Sequence, residues 1–401
     1  VFGGLNFKTL VGVGPLKLSG RTCPLISLER ENNDEGSEIM SKAMDDWSKM
    51  PFGRAITAEE LKKRTHPAWP YNYFNPGKPV DPEKVDEILK GCIDVHIHGA
   101  PLGGWLPGRP TMVETCIEAS EAGMRALVFK DHNTMVNNCA AIIQDFLGRM
   151  AKEKAKEGIE FTPVEVYGGI TLNHTVGGMN AHAVKVALGY GRCKEVWLPS
   201  LDAMHQRQAQ GWPKEEWEKK GICVTKGGIG ASEDLTDEMI EVLDVMADFN
   251  NNTKGDVTVL SACHVSNEEK VAILKYIKKK GMNVKVLLDH VTQEMTILTP
   301  SEAKEMIDLG GYLEFAECSC IPWPGMADWI VAYDYSFSLM KELIKEKGPD
   351  HLVLITDAGQ PGNKPVAGWK MFIKYCLAQG ISEEMINVMA KEVPAKLIYA
   401  E

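Results

Sequence analysis

The stretch Asp94-Val95-His96-Ile97-His98-Gly99 decides how the rest of the chain is interpreted. It follows an apolar approach, Gly91-Cys92-Ile93, and leads into a segment rich in glycine and proline. In a β-strand, residues i and i+2 point to the same face, so His96 and His98 are expected to project side by side. Two such imidazoles can share one divalent ion. The pattern alone is weak evidence, and its meaning depends on whether later strands end in matching side chains.

From residue 91 onward, short apolar runs rich in β-branched residues alternate with amphipathic helical stretches. We predict eight strands, over residues 93–98, 126–130, 165–172, 195–198, 257–263, 284–290, 312–316 and 352–356. Eight such units predict an α/β protein, a (β/α)8 TIM barrel over residues 91–401 with an N-terminal extension over residues 1–90. The alternative is a doubly wound open sheet, which usually carries a Gly-x-Gly-x-x-Gly turn after its first strand, and that turn is absent there.

Several local signals accompany this alternation. Ser266 with Glu269 and Thr299 with Glu302 fit the capping box that begins a helix. The largest insertion is expected between the fourth and fifth strands. It contains Trp212–Lys220 and a glycine-rich stretch, Gly221–Gly230, that could form a small hairpin.

Residues 1–90 differ in character from the barrel. We expect helices over 36–50 and 58–64, and an irregular segment over 66–77 because that stretch is rich in proline and aromatic residues. We interpret residues 66–77 as a packed surface segment or, alternatively, as a lid or subunit-contact loop near the active site, and the extension as a whole as an oligomerisation arm or lid. An oligomerisation arm predicts a homo-oligomer.

Composition narrows the classes of partner and compartment. The net charge of −11 disfavours nucleic acid and anionic membrane surfaces. We find no apolar run of the roughly 18 residues that a membrane span needs, and no signal peptide at the start of the chain. The cysteines, including Cys318 and Cys320, are scattered in a large chain, which predicts reduced thiols and a cytoplasmic protein.

The predicted strands are apolar until their C-terminal ends, where polar residues recur. These polar tips are His96 and His98, Lys130 to His132, Asn173 and His174, Ser200 and Asp202, Cys263 and His264, Asp289 and His290, Glu314 and Glu317, and Asp357. In a parallel barrel these ends share one rim, where catalytic groups converge. The set formed by His96, His98, His264, His290 and Asp357 is rich in nitrogen. It suits Zn²⁺, Mn²⁺ or Fe²⁺ and does not suit Ca²⁺, which prefers oxygen ligands.

This arrangement resembles the amidohydrolase superfamily of metal-dependent hydrolases, and the resemblance covers residues 91–400. A closer resemblance, to an uncharacterised bacterial branch, is carried by five further segments. They are Ala122–Ala126, Lys130-Asp131-His132, Gly168–Asn173, Val176–Asn180 and Thr356–Gln360. The resemblance implies a divalent cofactor, Mn²⁺ or Zn²⁺, with one or two ions. It further implies ring opening of a small cyclic molecule, such as the cyclic 1,3-diketone dihydrophloroglucinol.

One position departs from the superfamily pattern. Members with two metal ions usually bridge them with a lysine or glutamate at the end of strand four, whereas this chain has Pro199-Ser200-Leu201-Asp202 there. Lys130 is the nearest substitute. Three roles remain open for it: a metal bridge, a cationic clamp on the substrate, or an ion pair with Asp131 or another carboxylate.

The expected reaction is hydrolysis by an activated water. Asp357 would act as general base, with Lys130, His132 and Arg109 as candidates to stabilise an oxyanion. Arg109 and Trp105 are also candidates for holding a carboxylate and a flat ring, and Asn173 and Gln360 for carbonyl or hydroxyl recognition. Each of these four residues also has a purely structural interpretation: Arg109 as a solvated side chain, Trp105 as a packing residue, and Asn173 and Gln360 as residues that hold a loop in place. A cyclic amide, imide or lactone hydrolase, a metal-dependent decarboxylase and a non-catalytic metal-bound scaffold remain as alternatives.

Overall fold

The computed structural model describes residues 79–103, 108–253, 256–321 and 332–399. The helices predicted over 36–50 and 58–64, the segment over 66–77 and Trp105 lie outside these ranges. All eight predicted strands are present, at slightly different bounds. They are β1 Ile93–Ile97, β2 Ala126–Phe129, β3 Glu165–Thr171, β4 Cys193–Trp197, β5 Val259–Ser261, β6 Val286–Leu288, β7 Gly311–Ala316 and β8 Leu352–Ile355.

The strands form one parallel sheet in chain order from β1 to β8. Two backbone hydrogen bonds join its ends: Asp357 N–H donates to the His96 carbonyl at 2.9 Å, and His98 N–H donates to the Ala358 carbonyl at 2.7 Å. The sheet therefore curls into a nearly closed barrel with helices between its strands. The predicted (β/α)8 fold is confirmed.

Helices follow the strands as the amphipathic stretches predict. Their bounds are Pro82–Leu89, Met112–Glu121, Asn137–Lys156, Ala181–Gly189, Met204–Ala209, Lys214–Lys220, Asp237–Asn252, Asn267–Lys280, Pro300–Asp308, Glu317–Cys320, Tyr333–Lys347, Pro365–Ala378, Glu383–Asn387 and Val393–Ile398. The capping boxes predicted at Ser266 and Thr299 are both formed. Within the described ranges, none of these helices is long and apolar enough to cross a bilayer.

A register shift interrupts the pairing of β1 with β2 between Asp94 and Ile97. Asp94 pairs with Leu127 of β2 and Ile97 with Phe129, so β1 contains one extra residue over this span. The buried Asp94 carboxylate accepts hydrogen bonds at 2.6 Å from both Thr356 Oγ1 and Trp369 Nε1. Since Trp369 belongs to the helix Pro365–Ala378, Asp94 ties β1 to β8 and to that outer helix.

The insertion after β4 begins with two helices. Helices Met204–Ala209 and Lys214–Lys220 follow the strand, and Ala203 forms a parallel bridge with Ile222. The hairpin predicted within Gly221–Gly230 is reduced to one antiparallel bridge, between Thr225 and Leu235. The reason is that Gly227, Gly228 and Gly230 make successive tight turns with positive φ instead of extended strands.

Gly169 permits a close approach of β3 to β4. A Cβ atom at this position would lie 1.8 Å from the Glu195 carbonyl oxygen and 2.7 Å from a Trp197 ring carbon. Both neighbours belong to β4, so the contact could be relieved only by moving that strand. Overpacking of this kind distorts backbone and side chains at a cost in stability.

We expect Gly169→Ala to lower the free energy of unfolding by about 1–3 kcal/mol. The matched control is Gly148→Ala within the helix Asn137–Lys156, where a Cβ meets nothing within 4 Å. That change should raise the free energy of unfolding by about 0.5–1 kcal/mol, because alanine is the better helix former. Denaturant unfolding followed by circular dichroism measures both, and a shift of equal sign in the two variants would contradict the assignment.

Candidate metal centre

The ends of four strands bring four histidines and one aspartate into one buried cluster. His96 and His98 follow from β1, His264 from β5, His290 from β6 and Asp357 from β8, and all five are at most 6% exposed. The ring of His96 lies 5.6 Å from that of His98 and 5.9 Å from that of His290, and the rings of His264 and His290 are 5.0 Å apart. The residues predicted to share a rim are therefore close neighbours.

Left-handed backbone at three strand ends contributes to this convergence. Cys263, His290 and Asp357 have φ values of 48°, 31° and 50°, although none of them is glycine. Each lies two residues beyond the end of its strand, β5, β6 or β8. Such conformations cost about 1–3 kcal/mol each and persist only where the surroundings impose them. They interrupt the alternation of faces, so that neighbours such as Asp289 and His290 both contact the centre.

The tautomers of two histidines follow from the acceptors that their Nδ1 atoms contact. His98 Nδ1 donates to the backbone carbonyl of Lys130 at 3.0 Å. His290 Nδ1 lies 2.9 Å from Thr296 Oγ1, and the Thr296 hydroxyl donates its own proton to the His290 carbonyl at 2.8 Å. The Thr296 oxygen is therefore an acceptor for His290. In both rings Nδ1 carries the proton and Nε2 carries a lone pair.

The remaining two histidines of the cluster follow the same rule. Lys130 Nζ, which can only donate, lies 3.0 Å from His96 Nε2, so His96 Nδ1 carries the proton and donates it to Glu314 Oε2 at 3.1 Å. His264 Nδ1 donates to the side-chain oxygen of Gln206, on the insertion helix. Metal-binding histidines are typically held in this way, through a hydrogen bond from the other ring nitrogen.

These tautomers place electron-rich atoms in contact at two points of the cluster. His264 Nε2 lies 3.2 Å from His290 Nε2, and His98 Nε2 lies 3.0 Å from Asp357 Oδ1. Burial, together with the neighbouring His290 and Lys130, lowers the pKa of His264 well below its usual range. Burial also lowers the pKa of His290 to about 4. A proton does not fill the His264–His290 contact at neutral pH, whereas a metal cation would satisfy both contacts.

The protonation states of the ligand atoms fit a divalent ion. His96 Nε2, His98 Nε2 and Asp357 Oδ1 form one group of ligand atoms within 4.8 Å of one another, and His96, Asp289 and Glu314 form a second such group. Burial opposes ionisation of Asp357, yet His96 and His98 hold its pKa well below the usual range. Burial lowers the pKa of His96. Neutral imidazoles and a carboxylate are the forms that bind metal.

Lys130 lies at the centre of the cluster as an ammonium group. It is 1% exposed and donates to His96 Nε2 at 3.0 Å, Cys263 Sγ at 3.2 Å and Asp289 Oδ2 at 3.4 Å. Burial lowers the pKa of Lys130, but Cys263, Asp289 and Asp357 outweigh burial and raise it above its usual value. Of the three predicted roles, an ion pair with a carboxylate is present, and the partner is Asp289. The other two stay predictions.

His132 and Asn173 form a separate network beside the cluster. The His132 ring stacks on that of His98 at 5.2 Å, and its Nδ1 lies 2.8 Å from Ser200 Oγ. Asn173 Nδ2 donates to Ser200 Oγ and to the His132 carbonyl, both at 2.8 Å. Asn173 Oδ1 accepts from the Ser200 N–H at 2.9 Å. Asn173 is thus engaged within the protein on both sides of its amide group.

The predicted substrate-binding residues Arg109 and Gln360 hydrogen-bond within their own loops. Arg109 Nη1 donates to the Gly103 carbonyl at 3.0 Å, and burial lowers the Arg109 pKa. Gln360 Nε2 donates to the Asp357 carbonyl at 2.6 Å, and its Oε1 accepts from Asn363. Their role in binding a substrate stays a prediction.

Sequence reasoning left several residues out of the site. Asp289, Glu314 and Cys263 are polar residues at strand ends to which the sequence assigns no role. Their position at a strand end is the sequence feature that points to the site. Cys318 donates to Asp357 Oδ2 at 3.4 Å. Gln206 and Thr296 lie in the insertion and in a loop, where no spacing connects them to the histidines that they hold.

Comparisons with known proteins give a family and distant likenesses. Residues 91–314 match a family model described as a family of unknown function, DUF6282. No curated protein matches the chain. A mutant of an organophosphorus hydrolase from Deinococcus radiodurans has a TM-score of 0.49 and 13% identity, covering 80% of this chain and 94% of that one. A probable 2-pyrone-4,6-dicarboxylic acid hydrolase from Acinetobacter baumannii has a TM-score of 0.43 and 13% identity, covering 77% and 98%.

Thr296→Val is expected to weaken divalent metal binding by about 10–100-fold, because His290 loses the acceptor that fixes its tautomer. Thr292→Val is the matched control: Thr292 lies in the same loop, is equally buried and contacts Cys320 instead of a histidine. Its affinity should stay within about threefold of the wild type. Calorimetric titration of the metal-stripped protein with Mn²⁺ or Zn²⁺ measures both, and equal effects of the two changes would contradict the role given to Thr296.

Proposed function

The chain belongs to the family of unknown function DUF6282, and we propose that it is a metal-dependent hydrolase that opens a small cyclic substrate at a carbonyl group. One observation carries this proposal: four buried imidazoles present Nε2 lone pairs toward the cluster while their Nδ1 atoms are held by fixed acceptors. An apolar or merely structural histidine cluster has no reason to leave lone pairs facing one another.

We assign His96, His98 and Asp357 to one ion, and His264 with His290 to a second. Nitrogen-rich ligation with one carboxylate suits Mn²⁺ or Zn²⁺. When bound there, a divalent ion supplies a water of lowered pKa and polarises a carbonyl. A superfamily resemblance of the same residues supports this assignment.

Proton transfer falls to Asp357 and His132. Because the pKa of Asp357 is held low by His96 and His98, its carboxylate is available to accept the proton of an attacking water. Burial, His98 and Lys130 lower the pKa of His132 well below its usual range, so its imidazole is neutral at pH 7. It can therefore take up a proton and return it to the leaving group. Ser200 orients its ring, and Asn173 holds Ser200.

The positive charge of Lys130 is proposed to favour the oxyanion that develops during attack, without requiring direct contact with it. Arg109 is proposed as a second cation, for a carboxylate or enolate oxygen of the substrate. Gln360 is proposed to contact the substrate, and Trp105, which lies outside the described residues, stays a candidate for the same role.

Among substrates we favour a cyclic 1,3-diketone such as dihydrophloroglucinol. If a carbon–carbon bond is cleaved, the departing carbanion must be delocalised, and the second carbonyl of a 1,3-diketone does this. A cyclic amide, imide or lactone requires nearly the same residues and is the alternative. The cysteines of the described residues are free thiols, which supports a reducing compartment such as the cytoplasm.

A chelator should abolish ring opening, and Mn²⁺ or Zn²⁺ should restore it. The measurement is a screen of metal-stripped and reloaded protein over cyclic 1,3-diketones, lactones and imides, with elemental analysis of the metal content. In water labelled with heavy oxygen the product should gain the label. Unlabelled product would indicate a decarboxylase, and unchanged activity after complete metal removal would refute the proposal.

His264→Ala should lower kcat/KM at least about 100-fold, since a ligand is lost rather than a residue that supports one. His182→Ala is the control, because His182 is exposed on the helix Ala181–Gly189, and it should leave kcat/KM within about twofold. Full activity of the His264 variant would remove this residue from the centre.

A further inference from the structure

Lys130 and a metal ion compete for one lone pair. His96 Nε2 accepts a hydrogen bond from Lys130 Nζ at 3.0 Å and also lies 3.4 Å from Asp357 Oδ1, within the first group of candidate ligand atoms. An imidazole nitrogen has a single lone pair in the ring plane. It can accept a proton from an ammonium group or bind a metal ion, but it cannot do both. The arrangement of the metal-free centre therefore differs from that of the loaded centre at Lys130.

Three buried carboxyl side chains in the barrel interior are candidate partners for the ammonium group. Glu195, Asp289 and Glu314 are each 0% exposed, and we call them the carboxylate pocket. Among the described residues, neither oxygen of Glu195 has a hydrogen-bond partner, and neither does Oε1 of Glu314. The hydroxyl of Ser261, near this pocket, donates its one proton to Asp289 Oδ1. The pocket thus contains buried acceptors that no donor satisfies.

Lys130 is already in contact with this pocket. Its Nζ lies 3.4 Å from Asp289 Oδ2, and Asp289 Oδ2 lies 3.8 Å from His96 Nδ1, next to Glu314. A flexible four-carbon stem allows the ammonium group to move while the Lys130 backbone N–H stays bonded to the Ile97 carbonyl.

We propose that Lys130 is a displaceable internal cation: its ammonium group holds the lone pair of His96 in the metal-free centre and moves into the carboxylate pocket when a metal ion binds. This inference rests on the proposed metal centre. In the displaced position the primary ammonium group of Lys130 would donate to oxygens of the carboxylate pocket that otherwise have no donor.

The inference is incompatible with Lys130 as a bridging ligand. To bridge two ions the amine would have to lose its charge and become a carbamate. The resulting anion would lie beside the Asp289 carboxylate, which is 3.4 Å from Lys130 Nζ, so that like charges would meet in a buried site. In the displaced position the ammonium group instead separates the metal ions from the pocket and balances its charge.

The first test compares Mn²⁺ or Zn²⁺ affinity of metal-stripped wild-type protein and Lys130→Met by calorimetric titration. Removal of the competitor should tighten binding at least about 10-fold, whereas loss of a bridging ligand would weaken it. Lys270→Met is the matched control, because Lys270, at 0% exposed, is buried like Lys130 and its charge also acts on Asp289 and His290. Its nitrogen donates to Asn267 and to no histidine in the described ranges. Equal tightening in both variants would reduce the effect to general electrostatics and overturn the inference.

The second test needs no variant, so it survives a failure of Lys130→Met to fold. Wild-type protein is titrated with metal in buffer freed of carbon dioxide and in buffer containing ¹³C-bicarbonate. We expect the two dissociation constants to agree within about twofold and no carbamate resonance to appear. A ¹³C carbamate signal, or binding that depends on bicarbonate, overturns the inference. If wild-type protein binds no metal under either condition, the proposed metal centre itself fails, which is a distinguishable result.

Discussion

Hydrogen bonds from imidazole Nδ1 atoms to fixed acceptors are the interactions on which the candidate centre depends. The four acceptors come from four parts of the chain: Glu314 on β7, the Lys130 carbonyl after β2, Gln206 on the insertion helix and Thr296 in the loop after β6. None of these elements adjoins another in sequence. The four Nε2 atoms therefore face the cluster only when the barrel has closed, and the bonds of Asp357 and His98 across β8 and β1 complete that closure.

The parts of this structure that periodicity encodes could be predicted from the sequence. Eight apolar runs at regular intervals predict eight strands, and polar residues at their C-terminal ends predict a shared rim that includes His264 and Asp357. Contacts that depend on side-chain packing could not be predicted. The ion pair of Lys130 with Asp289 joins residues on different strands, and the bond from His264 to Gln206 depends on the path of an irregular insertion. The register shift at Asp94 is likewise invisible in the pattern of apolar residues.

The interior of this barrel is unusual for its charge. TIM-barrel interiors are commonly filled by layers of branched apolar side chains. Here Glu195, Asp289, Glu314 and Lys130 are all almost completely buried, and Lys130 Nζ lies 3.4 Å from Asp289 Oδ2. Burial of ionised groups is unfavourable unless they are paired, and replacement of such groups by apolar residues of similar volume is often stabilising. The presence of these side chains is therefore better explained by the proposed cation chemistry of the candidate centre than by stability.

The left-handed backbone at Cys263, His290 and Asp357 has a consequence for engineering. Transplanting the cluster into another barrel by copying side-chain identities alone would leave these three peptide units in ordinary extended geometry. Consecutive side chains such as Asp289 and His290 would then alternate between interior and exterior, and the recipient scaffold would present only part of the donor set. A successful graft needs the torsion angles of these three strand ends as well as the residues, so the loops that impose the torsions would have to be moved together with them.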